Sequence, residues 1–365
     1  LELDPNHPIA RHNLEYVNAN PESRHLPECD LTLNMIVKNE EQNLREVLGS
    51  IAALFDEIVI VDTGSADATP AVAASFGAKV VSHSWNDSFA DARNVALRHS
   101  NGKWVFWMDA DDRIEPKAVQ TLRKFIARGI PCGVFFPLKS VIGQTGASVV
   151  NYTLRLFANR PGLKWEGAVH EQIAPSLRSV SIDLVNCPDF TVTHIGYERD
   201  ADVLQKNLRN LKLLSVELAK RPEDPYVLFS LAQAFLFCGQ IDAAARWLRE
   251  LWRLHDKLDK QTWREVFWLA AIVLSDVTAS SGDLLQAEQW LAQAIELAPE
   301  NWLAYFLLGE RKLLARDMDA ASSFLHRAQK LGVVPTILPL DIEDIKKKLT
   351  RYMGVLNQDF ASALP

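Results

Sequence analysis

The sequence predicts two folded parts, an α/β domain built on a mostly parallel sheet and then an all-α domain of helical repeats. From Leu31 to about Tyr197 short apolar runs alternate with helical patterns, and after Asp202 nearly every segment is helical and rich in leucine or alanine. Alternation of the first kind implies a parallel sheet with helices on both faces. The acidic run Asp109-Ala110-Asp111-Asp112, placed directly after an apolar strand, marks where that sheet carries its chemistry.

Leu31–Val37, Glu57–Val61, Ala78–Val81 and Lys103–Met108 read as strands, being short, β-branched or aromatic, and bounded by turn signals. Glu41–Ala53, Thr69–Phe76 and Ser88–His99 read as the helices between them. After Pro116 the pattern loosens, and Cys132–Ser140, Val149–Phe157 and Asp189–Ile195 read as antiparallel strands added on one edge. The expected divisions are 1–27, a helical-repeat remnant with a helix at Ile9–Val17 and a linker at Pro21–Pro27; 28–200, the α/β domain; and 201–365, the repeats.

The repeats emerge from spacing. Position 1 at Trp302 puts large apolar residues at Tyr305, Leu308 and Leu325, and small ones at Gly309, Ala321 and Ala328. A start 34 residues earlier, at Trp268, gives Ala271, Leu274, Ser275, Ala287, Leu291 and Ala294, then Pro299. A third start at Pro225 gives Leu228, Leu231, Ala232, Ala244 and Leu248, with about nine residues inserted near His255–Thr262. Small residues belong where two helices of a repeat touch closely. The pattern resembles the tetratricopeptide repeat, with an ordinary helical bundle as the alternative.

Composition narrows the function. A 48% hydrophobic and 23% charged chain is globular rather than disordered, and a net charge of −7 argues against nucleic acid as a partner. No stretch approaches the ~18 consecutive apolar residues of a membrane span. Leu1–Pro8 lacks the apolar core of a signal peptide, and Cys29, Cys132, Cys187 and Cys238 are scattered as in a reducing compartment. The expected location is cytoplasmic.

Three carboxylates within four residues at a strand's carboxyl end repel one another unless a cation sits among them, and a hard divalent ion prefers such oxygens. That end of an open parallel sheet is also where ligands bind. Three other segments accompany the run. Val37-Lys38-Asn39-Glu40 ends the first strand and Asp62-Thr63-Gly64-Ser65 the second, while Arg93 and Asn94 share one turn of a helix. A surface ion pair of Arg93 with Asp87 or Asp91 is the plain alternative for that residue.

These four landmarks, in this order between Leu31 and Pro116, resemble family 2 of the inverting glycosyltransferases, which have the GT-A fold (Rossmann-like, mostly parallel sheet). With the repeats, the chain resembles bacterial peptide and protein glycosyltransferases of the sublancin S-glycosyltransferase type. The resemblance implies that Val37, Asn39 and Glu40 border the nucleoside and that Asp62 holds the base, with Gly64 and Ser65 letting it approach. It implies Asp109, beside Ala110, on the ribose or sugar, Asp111 on the metal, Arg93 neutralising part of the donor, and Asn94 shaping the site. The role of Asp112 stays open.

Lys164-Trp165-Glu166-Gly167-Ala168-Val169-His170-Glu171 forms a second constellation. Transfer with inversion needs a base on the acceptor, and the family's comparable segment ends in His-Glu, which favours Glu171 over Glu166; a helix-start Glu171 on a solvated surface is the alternative. His170 is assigned to the donor phosphates or the acceptor. His194, which ends a later apolar strand, is by resemblance the histidine that closes the metal shell, or else a satisfied core histidine. The expected cofactor is Mn2+ or Mg2+ and the expected donor a UDP-sugar, with glucose and N-acetylglucosamine as candidates. A peptide or protein is the first acceptor, lipopolysaccharide or another glycan the second. Homodimerisation through the repeats is the expected self-association, and a non-catalytic scaffold is the rival from another class.

Overall fold

The computed structural model describes residues 31–142, 147–188, 190–195 and 200–362, and the chain divides into two compact units, Leu1–Glu198 and Arg199–Pro365. The expected N-terminal repeat remnant and linker, Cys29, and residue 189 of the last expected strand lie outside the described residues.

The first unit runs β1 (Leu31–Val37), α1 (Glu41–Ile51, ending in a 3-10 turn, Ala52–Leu54), β2 (Glu57–Asp62), α2 (Thr69–Ser75), β3 (Lys79–Ser82), α3 (Phe89–Arg98) and β4 (Trp104–Met108). There follow β5 (Asp112–Arg113), α4 (Pro116–Ile126), β6 (Cys132–Ile142), β7 (Ala147–Ala158), α5 (Ala174–Ser179), β8 (Asp183–Asn186) and β9 (Val192–His194). They form one sheet in the order β3-β2-β1-β4-β7-β6-β9-β5, with β8 also on β6. The first four strands are parallel.

β1 and β2 are almost wholly buried, as strands of a parallel sheet covered on both faces should be. One face packs Leu33, Met35, Phe106 and Met108 under Leu44, Leu48 and Ile51 of α1. On the other face Val59 and Val61 meet Ala92, Val95 and Ala96 of α3. The α/β architecture with a mostly parallel sheet is therefore the observed one.

The edge differs from expectation. β7 is antiparallel to β4, and β6 to β7, but β8 and β9 both run parallel to β6 rather than antiparallel. The crossover through α5 brings the chain back in the direction of β6, so the later strands cannot continue the hairpin.

The second unit comprises α6 (Asp200–Lys220), α7 (Pro225–Phe237), α8 (Ile241–Trp252), α9 (Lys260–Ser280), α10 (Leu284–Leu297), α11 (Trp302–Leu314), α12 (Met318–Leu331) and α13 (Ile342–Ser362). The expected repeats are the pairs α7/α8, α9/α10 and α11/α12. The small residues Ala232, Ala244, Ala271, Ser275, Ala287, Ala321 and Ala328 have no exposed surface, as close helix contact requires. The insertion before the second repeat is a turn that lengthens α9 at its start. Asp224, Asp259, Asp283, Asn301 and Asp317 cap the following helices by accepting backbone N–H bonds. No described helix is long and apolar enough to cross a membrane, and Cys132, Cys187 and Cys238 are free thiols.

Gly309 occupies the small-residue position of the last pair, where a Cβ would stand 2.6 Å from Leu325 Cγ and 3.2 Å from its backbone nitrogen. Alanine there would contribute ~1 kcal/mol through helix propensity. Overpacking against an immovable neighbour costs about 1–3 kcal/mol and outweighs that gain. Gly309→Ala should therefore lower stability by about 1 kcal/mol or more in urea unfolding; a more stable variant would contradict the close packing.

Candidate active site

The strands β1, β2 and β4 end together at Val37, Asp62 and Met108, and the acidic run begins one residue beyond β4. Asp109 and Asp112 are tied into a tight turn, since Asp112 N donates to Asp109 O (3.1 Å) and Asp109 N to Asp112 Oδ2 (2.9 Å). The two-residue strand β5 then pairs with β9 and sets Asp112 opposite His194.

Two buried arginines hold this acidic cluster. Arg93 of α3 reaches Asp109 Oδ1 with Nη2 (2.9 Å) and Glu171 Oε1 with Nε (2.5 Å). Arg155 of β7 places Nη1 2.9 Å from Asp112 Oδ2 and 3.6 Å from Asp109 Oδ2. Both guanidiniums lie over the indole of Trp107, at 3.9 Å and 3.7 Å from its ring centroid, contacts that are favourable when desolvated. Trp107 is itself fixed by donating to Leu154 O (2.7 Å) and by an edge contact with Trp165.

Electrostatics follow this geometry. Burial alone would raise the Asp109 pKa, but Arg93 first and then Arg155 overcome it and bring it to about 2. Burial likewise opposes the charge on Arg93, and the Glu171 and Asp109 carboxylates more than offset it, so its pKa is raised. For His194 burial works toward neutrality, yet the bond to Asp112 and the nearby Asp111 carboxylate raise its pKa.

The loop that carries Glu171 is held on α3 at three points. Asn94 makes two bonds to the backbone of Trp165, Nδ2 donating to its carbonyl (2.9 Å) and Oδ1 accepting from its N–H (2.8 Å). Phe89 N donates to Ala168 O (3.0 Å), and Arg93 holds Glu171. The loop's base is closed by reciprocal backbone bonds between Glu166 and Gln172. Gly167 (φ +99°) supplies the left-handed turn inside it, and His170 adopts φ +55°. His170 is exposed as a residue, yet desolvation of its imidazole lowers its pKa against the opposing pull of Glu171. Glu166 points outward, with a side chain 41% exposed and paired to Lys164.

At the ends of β1 and β2 the residues bind one another. Asn39 (φ +56°) donates its N–H to Ser65 Oγ (2.8 Å) and accepts from Ala66 N at Oδ1 (2.8 Å). Glu40 N donates to Thr69 Oγ1 (2.8 Å). Asp62 is buried and accepts from Gly64 N and Ser65 N, each at 3.2 Å from Oδ2. Gly64, at φ +101°, allows that turn. Val37 is buried at the close of β1, and Ala110 is buried beside the acidic turn.

Asp111, Asp112 and His194 bring ligand-type atoms within 4.8 Å of one another, with Asp111 Oδ1 3.4 Å from His194 Nδ1. A carboxylate–imidazole set suits a divalent ion. Charge balance agrees: Asp109, Asp111, Asp112 and Glu171 outnumber Arg93 and Arg155, and the remaining negative charge matches a dication. The residues fit a metal ion.

The structure thus brings Arg93, Asp109, Glu171, Asp111 and His194 into one network. The Val37–Glu40 and Asp62–Ser65 segments form a second, self-bonded group at the same strand ends. Arg93 pairs with Asp109 and Glu171, not with Asp87 or Asp91, and Glu171 lies in a loop rather than at a helix start. Asp112, Arg155, Trp107 and Trp165 belong to the network although sequence reasoning assigned them no role. The legible signal was Arg155, a lone cation inside the apolar run Leu154-Arg155-Leu156-Phe157, all buried.

Residues 32–201 match the family model described as Glycosyl transferase family 2. A TPR repeat-containing protein of Synechococcus elongatus is 33% identical over 61% of this chain and 56% of its own length. The SPbeta prophage-derived glycosyltransferase SunS of Bacillus subtilis is 24% identical over 63% of this chain and 55% of its own. The chain therefore spans about half the length of these relatives. The crystal structure of S. aureus TarS 1-349 aligns with TM-score 0.39 and 16% identity, over 82% of this chain and 91% of that one.

Arg93→Met should expose what the guanidinium does. Removing one partner of a buried ion pair costs about 3–5 kcal/mol because the other charge is left uncompensated. Asp109 keeps 35% of its side chain open, so a loss at the lower end, about 3 kcal/mol, is expected in chemical unfolding. A loss under about 1 kcal/mol, the scale of a surface pair, would mean that Arg93 does not hold the network together.

Proposed function

On the premise that residues 32–201 form a family 2 glycosyltransferase domain, we propose that this protein transfers a sugar from a UDP-sugar to a peptide or protein acceptor, inverting the anomeric carbon. One observation carries the reading. The buried Arg93 joins the acidic turn after β4 to Glu171 of the second constellation, which supports reading them as a donor-side cluster and a base held together.

Each residue has a role. Asp109, kept ionised by Arg93 and Arg155, bonds the ribose or sugar of the donor. Asp111 and His194 hold Mn2+ or Mg2+, which when bound neutralises charge developing on the diphosphate leaving group. Asp62, with Gly64 and Ser65, receives the base, and Val37, Asn39 and Glu40 border the nucleoside. Asn94 positions the Trp165 segment. Glu171 takes the acceptor's proton as the new bond to the anomeric carbon forms and the bond to the diphosphate breaks. Arg93 occupies its Oε1 and fixes its orientation, whereas Glu166 faces solvent. His170 contacts the donor phosphates or the acceptor.

A peptide or protein acceptor is supported by the second unit, whose helix pairs resemble the stacked repeats that hold extended peptides. SunS, named a glycosyltransferase, is similar over 63% of this chain, which supports transfer as the activity. Glucose and N-acetylglucosamine are the sugars to test.

Asp111→Ala should abolish Mn2+-dependent UDP binding in calorimetry while the circular dichroism stays that of the wild type. Unchanged affinity with Mn2+ would remove Asp111 from the metal site.

Glu171→Gln separates binding from chemistry. It keeps a hydrogen-bond acceptor for Arg93 but removes the base, so donor affinity should stay near wild type while turnover falls about 10²-fold or more. Retained turnover, together with a loss in Glu166→Gln, would transfer the role to Glu166.

A further inference from the structure

Arg113 links the two groups of residues at the strand ends. It lies in β5, where pairing with Thr193 of β9 fixes its backbone. Its Nη1 donates to two carbonyls of the acidic turn, Ala110 O (2.9 Å) and Asp112 O (3.0 Å). Its Nη2 donates to Asn43 Oδ1 (3.0 Å) and Glu46 Oε2 (2.7 Å), which share one face of α1. Asn43 passes the restraint on, because its Nδ2 donates to Glu40 Oε2 at 2.7 Å. The start of α1 is tied in turn to the residues beyond Ser65. Glu40 N donates to Thr69 Oγ1 (2.8 Å) and Glu41 N to Asp67 Oδ2 (3.3 Å). A chain of bonds thus runs from the acidic turn to the loop that opens at Asp62.

These four acceptors use the hydrogens of both terminal nitrogens of the guanidinium. Neither nitrogen is spent on a carboxylate of the acidic turn, which Arg93 and Arg155 hold instead. Arg113 grips the main chain of the turn, and the main chain sets where its carboxylates stand. With 24% of its side chain exposed, Arg113 could be solvated by water, so these bonds do not merely rescue a buried charge. We infer that Arg113 is a positioning residue for the donor: it fixes the separation of the nucleoside segments from the acidic turn, so that one nucleoside diphosphate engages both. The inference rests on the donor reading proposed above, and Arg113 acts through the turn rather than on a reacting atom. Such preorganisation raises affinity by removing the cost of ordering two subsites on binding, and it favours only ligands that span both.

Calorimetry on the full chain with Mn2+ present, comparing UDP with uridine, tests this. Arg113→Met keeps the aliphatic stem and removes the fork. Its UDP affinity should fall about 10-fold or more, the scale of losing charged hydrogen bonds, while uridine affinity changes little. Arg113→Lys returns the charge without the planar fork and should not restore the UDP-to-uridine ratio. Asn43→Ala, at a helix position that alanine suits, cuts the link to Glu40 and should lower the same ratio in a chain that melts near the wild-type temperature. Combined with Arg113→Met it should add little, since both break one chain of bonds. A lower melting temperature with the wild-type ratio would make Arg113 a brace of the fold and overturn the inference, as would full rescue by lysine. An unchanged ratio in Asn43→Ala overturns it whether or not Arg113→Met folds. A wild type that binds neither UDP nor uridine overturns the donor reading, and this inference with it.

Discussion

The guanidinium of Arg93 is the constraint on which the rest of the first unit's chemistry depends. A cation with only 6% of its side chain exposed is tolerable only if carboxylates and hydrogen bonds replace the water it has lost. The chain supplies two acids from segments far apart in sequence, Asp109 after β4 and Glu171 in the loop before α5. Each is needed for the arginine to stay buried, and the arginine in turn holds Asp109 charged. Trp107 extends the arrangement by stacking Arg93 and Arg155 within 4 Å of one ring, so both cations belong to one layer under the acidic turn.

That layer also limits how much negative charge the turn can offer. Arg155 takes Asp112 and part of Asp109, and Arg93 takes Asp109 and Glu171. Asp111 pairs instead with His194, a group that can change partners when a ligand arrives. An acidic cluster without such cations would be repulsive when empty and would raise its own pKa values. With them Asp109 stays ionised, and the cluster keeps a residual charge that suits a cation.

Much of this was legible in the sequence because it is local. β1, β2 and β4 are short, largely apolar runs, and each gives way to polar residues, so Val37, Asp62 and Asp109 marked the strand ends correctly. The repeats were legible because small residues recur at a fixed spacing. What sequence could not display is pairing across long separations. Asn94 reads as a polar residue on a helix, and only the fold shows it saturating the backbone of Trp165, 71 positions away. β5 has two residues and β8 four, too few for any periodicity. Arg155 had a visible oddity, a cation among buried leucines, but its partners lie on another strand's turn.

The three anchors of the Glu171 loop bear on how inversion would be arranged in the proposed reaction. Attack and departure on opposite sides of one carbon demand that base and leaving-group stabiliser keep a fixed separation, since small misplacements cost large factors in rate. A base on a freely moving loop could not meet that demand. Here Phe89, Arg93 and Asn94 of a single helix bind Ala168, Glu171 and Trp165 in turn. The same helix packs Ala92, Val95 and Ala96 against β2. The position of Glu171 is therefore referred, through α3, to the same sheet that ends in Asp62 and Asp109. A substitution that frees α3 from β2 would therefore displace Glu171 and the acidic turn relative to one another without touching either.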